Sequence, residues 1–310
     1  MTRWGVTWRD PLLITAAATL YVALRAYDPV EGALTTRWFS VWAGMLLISA
    51  LVWVAVLREG LRRLRLRPRR PGAPRHGVRY VAIALPATAF VMAASQEARF
   101  VTHGSYVPSV LVVGLLALGW CTAAPWTLLV WRTRDDEAEL ARSIAAVGAP
   151  RWDTTTSALT VDVAAVHAAA ATLRRAWEAI EASALALAVL LSSAVLNTAM
   201  LRLGAIASGA TTATDSPTVF VLAYGAFFAL VAAVLIGPVA LHWRSQALAL
   251  VDATLGEPPT GVPTAEFVDT RDRFLTHLGL RAGVLRTPVA ALSVLAPLGT
   301  AFLAALVPTG

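Results

Sequence analysis

The chain has 310 residues, of which 57% are hydrophobic and 15% charged. An ordinary soluble domain carries about 25% charged residues, so the chain reads as an all-α integral membrane protein. A single cysteine, Cys121, excludes a disulfide scaffold, and the apolar content excludes a disordered chain or a soluble nucleic-acid binder despite a net charge of +7.

A bilayer core about 30 Å thick needs roughly 20 apolar residues in a helix. In chain order, the first candidate span is 11–27, a marginal stretch with Arg25 near its end. Arg3 and Arg9 ahead of it also fit a signal-peptide start, but no small-x-small cleavage site follows. The second span is 38–57. It leads into a basic loop, 58–79, in which Arg62, Arg63, Arg65, Arg67, Arg69 and Arg70 face almost no acid. Leu61, Leu64 and Leu66 extend the second span briefly as a basic helix, and Pro68 and Pro71 stop it. These arginines suit anionic lipid headgroups, although a bare topology signal explains them as well.

The third span, 80–95, is short and holds Pro86. After it, Glu97, Arg99, His103 and Tyr106 crowd together. A carboxylate near a histidine is a candidate acid–base pair or ligand site. Pairing of Glu97 with Arg99 or Arg202 is the plainer expectation. The fourth span is 107–131.

The insertion 132–181 begins with Arg132-Thr133-Arg134 and then Asp135, Asp136, Glu137 and Glu139. Acids in a first turn complement the helix dipole, and Thr133 with Asp136 resembles a capping box. A break near 133 and a short helix to Val147 follow from this, ended by Gly148 and Pro150. Asp153-Thr154-Thr155-Thr156 reads as a polar linker, with Thr154 or Thr156 capping the next helix. That helix carries a 4-3 repeat of Leu159, Val163, Val166, Ala170, Leu173, Trp177 and Ile180. Such a seam is coiled-coil-like. It serves either a hairpin with 135–147 or packing between subunits, and it marks Leu159, Val163, Val166, Leu173 and Trp177 as a partner-docking helix. The seam runs into the fifth span, 182–201, so one helix of roughly 60 Å is expected over 159–201.

Within the fifth span Ser193 and Asn197 form a polar stripe, a candidate pore lining or helix-packing contact. The sixth span is 218–243. The insertion 244–286 then predicts a helix over Gln246–Leu255, a break at Gly256-Glu257-Pro258-Pro259, and a helix from after Thr264 to about Leu280. Its layout echoes that of 132–181, including the Gly-x-Pro break, and suggests an internal duplication of spans four–five and six–seven. The last span is 287–307. The total is about seven transmembrane helices, or six without the first, with two cytoplasmic helical-hairpin insertions.

Arginine sets the orientation. The N-terminus, 58–79, 132–181 and 244–286 hold 2, 9, 6 and 5 arginines, against Arg25, Arg37, Arg99 and Arg202 on the other side. This predicts a multi-pass protein of the cell membrane with a cytoplasmic N-terminus and an extracytoplasmic C-terminus. All 26 basic residues are arginine, which excludes lysine Schiff-base chemistry and a lysine-bearing phosphate loop. No histidine or cysteine spacing supports a metal or haem, so no cofactor is expected. The span interiors hold no Asp, Glu, Lys or Arg, which argues against a proton-driven pump. The leading expectation is an oligomeric channel or conduit of bacterial type, gated or docked through cytoplasmic helices. The alternatives are a non-catalytic membrane subunit that recruits a partner protein, and an intramembrane enzyme using the outer-face group.

Overall fold

A computed structural model describes residues 37–66, 73–97, 106–148, 150–153, 158–207, 209, 211–258, 261–280 and 288–306. Among these, the chain is helical apart from one short ladder. The helices are α1 (Arg37–Leu66), α2 (Ala73–Glu97), α3 (Tyr106–Asp135), α4 (Glu137–Ala145), α5 (Val163–Ala207), α6 (Val219–Leu255), α7 (Ala265–His277) and α8 (Pro288–Ala305). Between α4 and α5, β1 (Arg151–Asp153) pairs antiparallel with β2 (Ala158–Thr160), with Trp152 opposite Leu159.

Among the described residues three helical segments are long and apolar enough to cross a membrane: Ser40–Leu66, Val163–Ala207 and Val219–Leu255. They cover 40–57 of the second predicted span, all of the fifth and 219–243 of the sixth. The third and fourth stretches lie within α2 and α3, and α8 covers 288–305 of the seventh. The first stretch, 11–27, lies outside the described residues. Three spans are therefore supported by helix length and apolarity together, fewer than the seven expected from hydropathy.

The ends of the elements follow local chemistry, with several departures from expectation. The helix carrying the 4-3 seam begins at Val163, so Leu159 stands on β2 and not on a helix. Its cap is Asp162, whose Oδ1 accepts from the Ala165 N–H at 3.0 Å. A carboxylate there satisfies an orphan donor of the first turn; Thr154 and Thr156, the expected caps, lie outside the described residues. The expected capping box at 133–136 does not form. Thr133 Oγ1 donates back to the Val130 carbonyl at 2.5 Å, and the Asp136 side chain makes no capping bond. The helix expected over Gln246–Leu255 is the last part of α6 rather than a separate element. α6 continues unbroken to Leu255, 37 residues or about 55 Å. No glycine or proline follows Trp243 until Gly256, so nothing interrupts the ladder there.

By contrast, Gly148 and Gly256 both end helices with positive φ, 73° and 64°. Only glycine takes that conformation without strain. Thr264 caps α7, its hydroxyl accepting from the Phe267 N–H at 3.3 Å.

The described residues divide into two compact units. The first comprises those within Met1–Leu128, Ala186–Ala232 and Ser293–Gly310. The second comprises those within Leu129–Leu185 and Ala233–Leu292. In the first, Val91, Val195, Ala199, Val221, Phe228 and Ala301 form one buried cluster, and Trp42, Leu46, Met200 and Leu203 another. Close helix approach is built from small residues there. A methyl added at Gly225 of α6 would meet the Ala301 side chain and lie 2.9 Å from the Pro297 carbonyl oxygen of α8. Small residues let helix backbones approach closely inside a bilayer.

Candidate functional site

The second unit is where the two predicted insertions meet. Trp243 of α6 donates its indole N–H to the Leu173 carbonyl of α5 at 2.9 Å. Trp177 lies against the same ring, centroid to centroid 4.4 Å. Leu173 is 1% exposed and Ile180 is 2% exposed, while Val166 and Trp177 are half-buried and Val163 is exposed. Two of the five proposed docking residues, Leu173 and Trp177, are thus engaged by α6 of the same chain. Sequence spacing identifies the seam but not its cover, which lies 70 residues further along.

A second junction joins the two Gly-x-Pro breaks. Gly256 sits against the Pro150 ring, and a Cβ at Gly256 would fall 2.6 Å from Pro150 Cγ. A third places Arg174 Nη2 3.4 Å from His277 Nε2. Pro150, Leu173, Arg174 and Trp177 of the first insertion thus pack against Trp243 at the end of the sixth span and against Gly256 and His277 of the second insertion.

Where α6 turns into α7, a groove of about 520 Å³ opens. Asp252, Glu257 and Asp272 line it with a single guanidinium, Arg271, and its apolar wall includes Phe267, Val268, Pro258 and Pro263. Arg271 Nη1 donates to Asp252 Oδ1 at 2.8 Å, a pair with side chains 35% and 62% exposed. Three carboxylates against one guanidinium leave the groove acidic. Exposed pairs contribute little. Asp252→Asn is expected to lower stability by about 1 kcal/mol or less, as read from the thermal midpoint of the purified protein.

In the first unit, the polar stripe of α5 meets α1. Ser193 Oγ accepts from Trp53 Nε1 at 2.7 Å. Asn197 Nδ2 donates to Ser49 Oγ at 2.7 Å and to the Ser193 carbonyl at 2.8 Å. Interhelical hydrogen bonds of this kind hold apolar helices together, each contributing about 0.6–1.7 kcal/mol. Asn197→Ala is expected to cost roughly 1 kcal/mol, measured as a drop in thermal midpoint, without dismantling the α1–α5 contact.

The basic end of α1 is more organised than its composition suggests. Glu59, 9% exposed, accepts from Arg62 Nε and Nη2 and from Arg63 Nε, all at 2.7 Å. A bidentate fork of this kind fixes direction as well as charge. The Arg63 guanidinium lies over the Trp126 ring, 5.6 Å from its centroid. Trp126, fully buried, donates to the Val56 carbonyl at 3.0 Å. It reaches that carbonyl because residue 60 is glycine, where a Cβ would lie 2.8 Å from the indole nitrogen. Arg65 is exposed, and Arg67, Arg69 and Arg70 lie outside the described residues.

The outer-face group falls largely outside the described residues. Glu97 ends α2 and Tyr106 begins α3, while Arg99 and His103 lie outside the described residues. Among the described residues no three His, Cys, Asp or Glu side chains converge on a metal position. Comparison with protein-family models, with curated proteins and with solved structures found no match.

Proposed function

We propose that this chain is a non-catalytic subunit of the cell membrane whose two long insertions form one cytoplasmic docking module for a partner protein. The observation that carries this reading is the packing of the first insertion against the rest of the unit: Leu173 and Trp177 meet Trp243, the last residue of the sixth span, and Pro150 meets Gly256 of the second insertion. Loops that only connect spans have no need of a shared, buried core. The acidic groove at the α6–α7 turn is the docking surface. Its apolar wall and surplus of carboxylates suit a segment that carries arginine or lysine beside an apolar side chain.

Seven spans, an inside N-terminus and an outside C-terminus complete the reading, on the strength of the arginine distribution. In a Cys121→Ser background, a cysteine introduced in place of Glu257 is expected to react with an impermeant maleimide only after the inner face is opened. A cysteine introduced in place of Ala213, which is exposed, is expected to react in intact cells. The reverse pattern would refute the orientation. The docking itself is tested by gentle purification from native membranes, with a partner expected at fixed stoichiometry and released by added salt. A chain that purifies alone would count against it.

The conduit reading loses a main support, because Ser193 and Asn197 hydrogen-bond α1. Conductance from the purified chain alone in a planar bilayer would restore it.

A further inference from the structure

Arg202 lies near the end of α5 in the first unit and is 5% exposed. A guanidinium has five N–H donors. Here Nε donates to the Ser216 carbonyl at 2.6 Å, and no carboxylate pairs with Arg202 among the described residues. The acid closest in sequence, Asp215, is turned to its own loop, where its Oδ2 accepts from Thr212 Oγ1 at 2.8 Å. The last carbonyls of α5 favour a cation at this position, but a helix end carries only about half an elementary charge. An unpaired buried charge is costly, so a second source of negative charge is called for.

Two further groups point to the same conclusion. Ser216 is fully buried and Thr211 is 9% exposed, and neither Ser216 Oγ nor Thr211 Oγ1 has a hydrogen-bond partner. Both belong to the segment that turns over Arg202. Ser216 is attached through its own carbonyl to Arg202 Nε, and the Thr211 N–H donates to the Ala205 carbonyl, one turn beyond Arg202, at 3.3 Å. Ser216 also lies just ahead of α6, whose N-terminal dipole favours an anion. A buried cation, two buried hydroxyls without partners and a positive helix end share one small region.

We infer that Arg202, Thr211 and Ser216 form a binding site for a small oxyanion of the phosphate type. A planar guanidinium matches two oxygens of such a group, and the hydroxyls supply the remaining donors. The oxyanion is either a free anion or the phosphate of a lipid headgroup. This inference is independent of the docking module, which lies in the other unit.

The test uses the full-length protein, stripped of phospholipid in a maltoside detergent. One arm titrates sodium phosphate against sodium chloride at matched ionic strength. The other titrates phosphatidylglycerol against a glycolipid that lacks phosphate. Thermal midpoint is read for wild type, Arg202→Gln and Ser216→Ala. Saturable stabilisation of wild type by phosphate identifies a free-anion site, and by phosphatidylglycerol alone a headgroup site. Arg202→Gln is expected to respond to neither, while staying folded because it removes the uncompensated charge. Ser216→Ala is expected to bind roughly fivefold more weakly, the loss of one hydrogen bond. No response in wild type, or an equal response in Arg202→Gln, would overturn the inference.

Discussion

Trp243→Ala is expected to loosen the second unit by about 3–5 kcal/mol, the usual cost of deleting a buried large aromatic. The ring is 7% exposed. It carries both the hydrogen bond to Leu173 and the contact with Trp177, so its removal separates α5 from α6 at the centre of the module. Hydrogen–deuterium exchange should show lost protection over 163–180 and 265–277. Protection over 40–60 should persist, because Trp126 and Val56 make their contact within the first unit. Trp243→Phe keeps a ring for Trp177 and loses only the N–H, so a change of about 1 kcal/mol is expected.

The second large effect belongs to Gly256→Ala. Two penalties add at this position. The φ of 64° disfavours any side chain by about 1 kcal/mol, and the new methyl collides with a rigid proline ring, an overpacking cost of about 1–3 kcal/mol. Gly148→Ala separates the two. Its φ is 73°, but nothing lies within 4 Å of the added Cβ, so only the backbone penalty applies. The double variant Pro150→Ala with Gly256→Ala should recover the collision part and leave the backbone part. Thermal midpoints of wild type, the two single variants at 150 and 256 and the double variant check this as a mutant cycle. Additive losses would show that Pro150 and Gly256 are not in contact.

Much of the helical layout is legible in the sequence because it depends on local rules. Apolar runs mark the helices. Gly148 and Gly256 mark their ends, and Thr264 marks the start of α7. Other boundaries are obscured where two local signals compete. Thr154 and Thr156 offer caps, but Asp162 is nearer to the first helical residue and binds the Ala165 N–H. Two short strands flank the threonine-rich stretch and set Trp152 opposite Leu159, and three-residue strands leave too short a pattern for period-two alternation to register. Trp243-Arg244 looks like a span end, as interfacial tryptophan and arginine often mark one, yet Trp243 lies inside an unbroken helix facing α5.

The contents of the candidate sites are less legible, for a different reason. The partner of Trp243 lies 70 residues away, as does that of Trp126, and no periodicity encodes such pairings. Glu59 stands alone among arginines in the sequence. Its importance emerges only from a bidentate geometry and from Gly60, which admits the Trp126 ring beside it. A carboxylate is the expected partner of Arg202, and its burial becomes visible only once the 211–218 segment is placed over it.

The central claim is that the 129–185 and 233–292 segments make one module that receives a basic partner at the α6–α7 groove. A photo-crosslinking amino acid at Val268, which lines the groove and is 48% exposed, tests it in native membranes. One adduct of defined mass is expected, lost when Glu257 and Asp272 are both changed to arginine. No adduct at Val268, or an adduct that survives the charge reversal, would contradict the claim.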